Sequence, residues 1–364
     1  MRKGWQLSIL TLALFFSCKK EGSDNKNPDP VNDTMYFPPA GSSDWHTVSP
    51  AALNWDQAGF SALYSYLESK GTKAFIVLKN GRIAAEKYFG DFTVNSDWYW
   101  ASAGKTITGL LVGIAQEEAL LKLSDQTSKY LGKGWTSLPA AKEDLITIRH
   151  QLTMTTGLDD DVKPDNDCTT PACLVYKSDA GARWAYHNAP YTLLGKVIEK
   201  ASGKTYQNYF QQAIRDKIGM RGLWVQTGYN NIYGSDARSM ARFGLLLLNK
   251  GSWNNTDILK DKNYFNTQIS SSQNMNPSYG YLTWLNGKSQ YMLPTLQFQF
   301  AGSLVPNAPA DMYAALGKND QKIYVVPGLQ LVVIRMGEAA GESKLAASSF
   351  DNELWGKLKT ILRY

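Results

Sequence analysis

Histidine is scarce in this chain. Three residues, His46, His150 and His187, are spread over 364 positions, and no two are spaced as a metal-binding pair. Cysteine is as scarce, with only Cys18, Cys168 and Cys173. Structural zinc draws its ligands from clustered Cys and His, so no zinc-like cluster is available, and neither a metal nor a cofactor is expected. Lys and Arg (38) outnumber Asp and Glu (32) for a net charge of +6, but they form no long basic block. A nucleic-acid partner is therefore not expected. No internal repeat is visible, and no apolar run reaches the length of a membrane-spanning helix. The hydrophobic fraction of 43% suits a globular body of one large or two smaller domains. Eleven Trp and 20 Tyr suit a large core and an aromatic-lined cleft.

Arg2 and Lys3 precede the apolar stretch Leu7 to Phe16. Its length fits the core of a signal peptide over residues 1–17. It ends in Phe15-Phe16-Ser17-Cys18, which resembles a bacterial lipobox with Phe15 in place of the usual leucine. Lipidation of Cys18 competes with ordinary cleavage, and the polar residues that follow favour lipidation. Residues 18–45 are polar and rich in Asn, Asp, Pro and Ser, and read as a lipid anchor and flexible tether. The expectation is an exported protein of the bacterial cell envelope that touches the membrane only through this anchor. Export allows a local disulfide between Cys168 and Cys173, with two free thiols as the alternative.

Within the body, residues 46–364, Asp56 to Lys70 has helical spacing. Ala74 to Leu78 reads as a strand, Asn80-Gly81 as a tight hairpin turn and Arg82 to Phe89 as the partner strand. Ala189 to Ala201 and Ser239 to Asn249 read as helices. Late strands are expected at Met312 to Ala315, Gln321 to Val326 and Leu329 to Met336, with Gly317 in a turn, before a last helix over Phe350 to Leu362. Strands at both ends with helices between predict an α+β fold: an antiparallel sheet flanked by helices, with an inserted, mainly helical lobe. The cleft between sheet and lobe is the expected place for chemistry.

Ser102-Ala103-Gly104-Lys105 opens an apolar segment, Thr106 to Leu121, that reads as one helix. Residues i and i+3 share a helix face, so the Ser102 hydroxyl and the Lys105 amine can touch. An amine kept neutral by burial can take the serine proton and make it a nucleophile. The four-residue pattern alone is weak, since Ser17-Cys18-Lys19-Lys20 matches it as well. On that pattern a helix N-cap at Ser102 and a solvated Lys105 stay open.

Tyr186-His187-Asn188 is the second element. A tyrosine beside an activated serine can shuttle a proton, if nearby positive charge such as Lys105 lowers its pKa. Asn188, two positions on, can orient the lysine or bind a substrate carbonyl. Tyr206-Gln207-Asn208 and Tyr229-Asn230-Asn231 share the pattern, but only Tyr186 is followed at once by Pro190 and an apolar helix. His187 points the other way in an extended segment and reads as a structural hydrogen-bonder.

Four stretches together resemble the serine β-lactamase-related hydrolases, of the class C β-lactamase, carboxylesterase and 6-aminohexanoate-dimer hydrolase type. They are Trp100 to Thr106, His150 to Leu158, Tyr186 to Gly195 and Met240 to Gly244. The resemblance runs from about Ala74 to the end and implies the fold described above. It implies Ser102 as the acylated nucleophile, Lys105 and Tyr186 as the base and proton-shuttling pair, and Asn188 as an orienting residue. The family's third motif, Lys-Thr-Gly or a relative, matches Ala315-Leu316-Gly317. The backbone N–H groups of Ser102 and Lys318 would then form the oxyanion hole. Ala315 departs from the lysine that helps bind a substrate carboxylate, which points to the esterase and amide-hydrolase branch. His150 to Leu158 reads as a brace for the nucleophile helix, and Asp159-Asp160-Asp161 as a solvated loop.

The expected function is hydrolysis of a small-molecule ester or amide through an acyl-serine. A penicillin-recognising D,D-peptidase or amidase is the second reading. A surface lipoprotein that only binds cell-wall or peptide fragments is the third, and the joint presence of Ser102, Lys105 and Tyr186 argues against it.

Overall fold

The computed structural model describes residues 34–163, 165–341 and 347–364. The signal segment and Cys18 lie outside them. A six-stranded antiparallel sheet is built from β1 (Thr72–Lys79), β2 (Arg82–Tyr88), β3 (Trp284–Leu285), β4 (Tyr313–Gly317), β5 (Gln321–Val326) and β6 (Leu331–Gly337). Its order is β2-β1-β6-β5-β4-β3. Chain start and chain end meet at its centre, where Ile76 pairs with Ile334 and Val77 with Val333. The hairpin turn Asn80-Gly81 has positive φ at both residues, 49° and 77°, the conformation that matches strand twist.

Helices cover both faces. On one side lie α1 (Gly59–Ser69) and the last helix, α5 (Ser349–Leu362). Trp355 packs edge-on to Tyr324 there, and Tyr66 stacks on Phe350. On the other side lies α4 (Ala237–Leu248), buried along nearly its whole length, with Tyr313 Oη donating to the Leu247 carbonyl at 2.7 Å. The inserted lobe contributes α2 (Lys105–Glu117) and α3 (Asn188–Ser202).

Of the boundaries that differ from those expected, three are instructive. Helix α2 stops at Glu117 rather than Leu121, because Ala119 turns into the left-handed region at φ 58°. Gly317 ends β4 instead of sitting in the turn, which is made by Lys318–Asp320 with Asn319 and Asp320 at φ 59°. Residues 38–42, expected as part of a tether, contact the body. Arg242 is buried, and its guanidinium donates to the carbonyls of Pro38, Pro39 and Ser42. That buried cation needs acceptors, and the polar segment after residue 34 supplies them as part of the body.

Candidate active site

The chain reaches Ser102 through a strained bend. Trp100 is fully buried, gives its backbone N–H to Tyr233 O at 2.8 Å and its indole N–H to Ser235 Oγ at 2.8 Å. Ala101 then takes φ 47°, a left-handed conformation that costs a non-glycine residue ~1–2 kcal/mol. The turn Ala101–Gly104 is 3₁₀, and α2 begins at Lys105. Thr106 ties the first turn of α2 to the Leu282 carbonyl at 2.8 Å. The result is a half-exposed serine on a rigid corner.

Lys105 is 4% exposed, and its Nζ is hydrogen-bonded to Ser102 Oγ at 2.9 Å. Burial pushes the ammonium down to about 7, against the opposing pull of Asp167. The amine therefore titrates at neutral pH, as a general base requires. Nζ also lies 5.1 Å from the Tyr186 ring centroid and 4.2 Å from that of Tyr191. Tyr191, in the first turn of α3 and five residues after Tyr186, is a further ring against Lys105 that no motif in the sequence marks.

The Tyr186 hydroxyl lies near Ser102. Its ring is wedged among Trp184, Tyr279 and Trp284. The expectation that Lys105 lowers its pKa does not hold. Burial among aromatic rings raises it, and the neighbouring Ser102 hydroxyl offsets only part of that. Tyr186 thus rests as a neutral phenol, while the lysine is the group that gives up its charge. Tyr206 is buried and hydrogen-bonded to Thr108 at 2.7 Å, and Tyr229 sits in an exposed hairpin turn.

Ala315 and Gly317 share one face of β4. A Cβ on Gly317 would lie 3.0 Å from Ala103 N and closer still to the Trp100 carbonyl oxygen. Only glycine allows β4 to approach the serine turn this closely, and the approach brings the backbone of Lys318 up beside it. Ala315 is buried and paired with Ile323.

The beta-lactamase family profile matches residues 69–348. The chain belongs to the beta-lactamase family. The Beta-lactamase of Escherichia coli K12 is 30% identical to this family member over 135 residues, 34% of this chain and 33% of that protein. The teichoic acid D-alanine hydrolase of Staphylococcus aureus is 26% identical over 187 residues, 48% of this chain and 47% of that protein. The chain thus spans only about a third to a half of these two relatives. A solved structure from Bacillus anthracis, assigned as a 6-aminohexanoate-dimer hydrolase, superposes with a TM-score of 0.67 at 19% identity, covering 91% of this chain and 90% of that one. A D-stereospecific amidohydrolase from Streptomyces gives 0.58 at 15% identity, covering 84% and 98%. These structural likenesses show the fold.

One element of this beta-lactamase-family site carried no signal in the sequence. Asn188 opens α3 and turns its amide to Asp167, donating to Oδ1 at 2.8 Å; Asn230 Nδ2 donates to Oδ2 of the same carboxylate at 2.7 Å. Asn188 hydrogen-bonds neither Lys105 nor Ser102 in this arrangement, and its own Oδ1 is buried without a partner among the described residues. Asp167 directly precedes Cys168, which is bonded to Cys173. His187 is buried behind this loop, contacts the Asn166 backbone and is pushed down to about 4 by desolvation, so it is neutral. In the acidic run Asp160 pairs with the part-buried Arg183, whereas Asp159–Lys177 and the exposed Asp161–Lys163 are surface ion pairs, as a solvated loop would have. Among the described residues no group of His, Cys, Asp and Glu could hold a metal ion.

Proposed function

We propose that this chain hydrolyses an ester or amide through an acyl-serine intermediate, with Ser102 as nucleophile. The observation that carries this reading is the buried Lys105 amine, near half-neutral at pH 7, 2.9 Å from the Ser102 hydroxyl. In the first half-reaction Ser102 Oγ attacks the carbonyl carbon as its proton passes to Lys105 Nζ. The carbonyl oxygen takes the negative charge and is held by the N–H groups of Ser102 and Lys318. Collapse breaks the bond to the leaving alcohol or amine. That group takes a proton from the neutral Tyr186 phenol, which is replenished from Lys105. Water then attacks the acyl-serine in the reverse sense and releases the acid. No step needs a metal or cofactor.

The esterase-like branch is favoured over true β-lactam hydrolysis by Ala315, which offers no cation to a substrate carboxylate. Teichoic acid D-alanine hydrolase and D-stereospecific amidohydrolase, as relatives by sequence or fold, agree with ester or amide chemistry. Export and anchoring through Cys18 belong to the same proposal, supported by the charged and apolar N-terminal segment and by the Cys168–Cys173 bridge.

Intact mass after incubation with a fluorophosphonate and, separately, with a penicillin tests the reading. A fluorophosphonate adduct on Ser102 without a penicillin adduct is expected. Adducts with both would favour penicillin recognition. Adducts with neither would leave only a binding role.

A further inference from the structure

The turn between β4 and β5 sits on a cluster of buried charge that the mechanism above does not use. Asp320, Lys322, Arg335 and Asp351 are each at most 1% exposed. Lys322 Nζ lies 3.1 Å from Asp320 Oδ1 and 2.9 Å from Asp351 Oδ2. The Asp320 carboxylate also accepts the Ser348 hydroxyl at 2.7 Å and the Ala340 N–H at 2.9 Å. Arg335 Nη1 reaches the carbonyls of both Asn319 and Asp320 at 3.1 Å. The same guanidinium donates to Thr72 Oγ1 and to the carbonyls of Glu338 and Lys70. A buried ion cluster is a weak source of stability beside well-packed apolar side chains, so stability alone does not account for it.

What the cluster grips is a strained turn. Asn319 and Asp320 are consecutive non-glycine residues at φ 59°. Such a backbone persists only where its surroundings over-determine it. Here Arg335 holds both carbonyls, and Lys322, Ser348 and Ala340 hold the Asp320 carboxylate. Asn319 Nδ2 donates to Tyr99 Oη at 2.8 Å, which ties the turn to the strand that leads into Ser102. Gly317, at the other end of the turn, is pressed against the serine turn itself. A Cβ there would lie 3.0 Å from Ala103 N and closer to the Trp100 carbonyl oxygen. The peptide that joins Gly317 to Lys318 thus runs between two fixed points, one against the serine turn and one in the charge cluster.

We propose that Asp320 is a positioning residue for the oxyanion hole. Its carboxylate anchors the turn to Lys322, to Ala340 and to Ser348 at the start of α5, and the anchored turn directs the Lys318 N–H toward the substrate carbonyl oxygen. This role rests on the serine-hydrolase reading above and adds a residue outside the cleft on which the reaction depends. Donors that meet charge only as it develops act on the transition state and not on the bound substrate. Loosening the turn therefore lowers kcat and leaves KM in place. It also weakens, by a similar factor, a ligand that puts an oxyanion in the hole. Asp320 and Asp351 balance Lys322 and Arg335. Removing Asp320 alone leaves an excess buried cation, so a charge-balanced pair of substitutions separates position from folding.

The test uses the whole protein with p-nitrophenyl butyrate as substrate and propyl trifluoromethyl ketone as inhibitor. Ser102 Oγ adds to the ketone carbon, its proton passes to Lys105, and the former carbonyl oxygen is left as an oxyanion. The variant is Asp320→Ala combined with Lys322→Met, and rates are expressed per site labelled to completion by a fluorophosphonate. It should lose about tenfold or more in kcat, a share of the roughly 10²–10³ that a missing oxyanion donor costs, with KM within about twofold of wild type. Its Ki for the ketone should rise by about the factor that kcat falls. Asp320→Asn with Lys322→Met keeps an acceptor for Ser348 and should recover part of kcat. Normal kcat per labelled site overturns the positioning role, because a residue needed only for folding changes the number of sites and not their rate. A fall in kcat with an unchanged ketone Ki also overturns it, because the effect then lies outside the oxyanion hole. Either result in a labelled, active wild type refutes this role alone. A wild type that is neither labelled nor active refutes the hydrolase reading and this role with it.

Discussion

Gly317 presses against the carbonyl of Trp100, so β4 and the serine turn meet backbone to backbone. Neither partner can retreat. Trp100 is locked by Tyr233 and Ser235, and Gly317 is hydrogen-bonded into the sheet opposite Gln321. The contact sets how closely β4 approaches the serine turn, and the oxyanion hole proposed above, from the N–H groups of Ser102 and Lys318, would depend on that approach. Gly317→Ala should therefore lower kcat/KM by about two orders of magnitude or more, and overpacking should cost roughly 1–3 kcal/mol of stability. Ester hydrolysis and a thermal melt measure the two effects separately. A variant with normal turnover would mean that the oxyanion is held elsewhere.

The Ser102–Lys105 pair predicts a sharp pH profile. Lys105 is driven to about 7 by burial, and only the neutral amine can accept the serine proton. Activity on an uncharged ester should fall as pH drops below about 7, approaching tenfold per pH unit on the acid side. Ser102→Ala should lose about three orders of magnitude or more. Lys105→Arg, which stays charged at all accessible pH, should lose as much. The sign for stability is opposite to that of a salt-bridged lysine. Between about 7 and 10.5 the unfolded chain binds a proton at this lysine that the folded chain does not, so wild-type stability rises with pH across that window. Lys105→Met should melt above wild type at pH 7, with the difference shrinking toward pH 10. A constant difference would show that the amine is not depressed.

The two tyrosines that share the Tyr-x-Asn pattern should behave differently. Tyr186 lies near Ser102, whereas Tyr206 is hydrogen-bonded to Thr108. Tyr186→Phe should cost about 10²–10⁴ in kcat. Tyr206→Phe removes one buried hydrogen bond and should cost about 1 kcal/mol of stability while the chemistry stays. Equal losses of activity would mean that context after the motif does not identify the catalytic tyrosine.

What could be read in advance was local. The hairpin at Asn80-Gly81, the i,i+3 approach of Ser102 and Lys105 and the apolar face of α3 depend on residues a few positions apart. The expected antiparallel sheet follows from strands at both ends of the body, and β1 does pair with β6. What could not be read depends on contacts between distant segments. Asp167 and Asn230 are 63 residues apart, and neither residue type nor spacing marks them as partners. Arg242 and the carbonyls it gathers are about 200 residues apart, so residues 34–44 looked like tether. The Tyr186 pKa was misjudged for a related reason. The charge of Lys105 was visible in the sequence, but the Trp184, Tyr279 and Trp284 rings that desolvate the phenol were not.

The third motif gives the last prediction. Ala315 lies on the Gly317 face of β4 and is 1% exposed, and its methyl group offers no charge or donor to a substrate carboxylate. A charge-assisted hydrogen bond contributes roughly 1.5–3 kcal/mol, which is about 10- to 150-fold in kcat/KM. The wild-type protein should turn over p-nitrophenyl butyrate much better than nitrocefin. Ala315→Lys should shift the ratio of the two toward nitrocefin by about tenfold or more. The variant should also melt lower, because the new side chain leaves a buried strand position and must displace Tyr186 or its aromatic neighbours to reach the cleft. Measuring kcat/KM for both substrates in both proteins separates the charge effect from the loss of stability, since unfolding lowers both rates alike and leaves their ratio unchanged. A wild-type preference for nitrocefin would overturn the assignment to the esterase-like branch, because another cation would then have to hold the carboxylate.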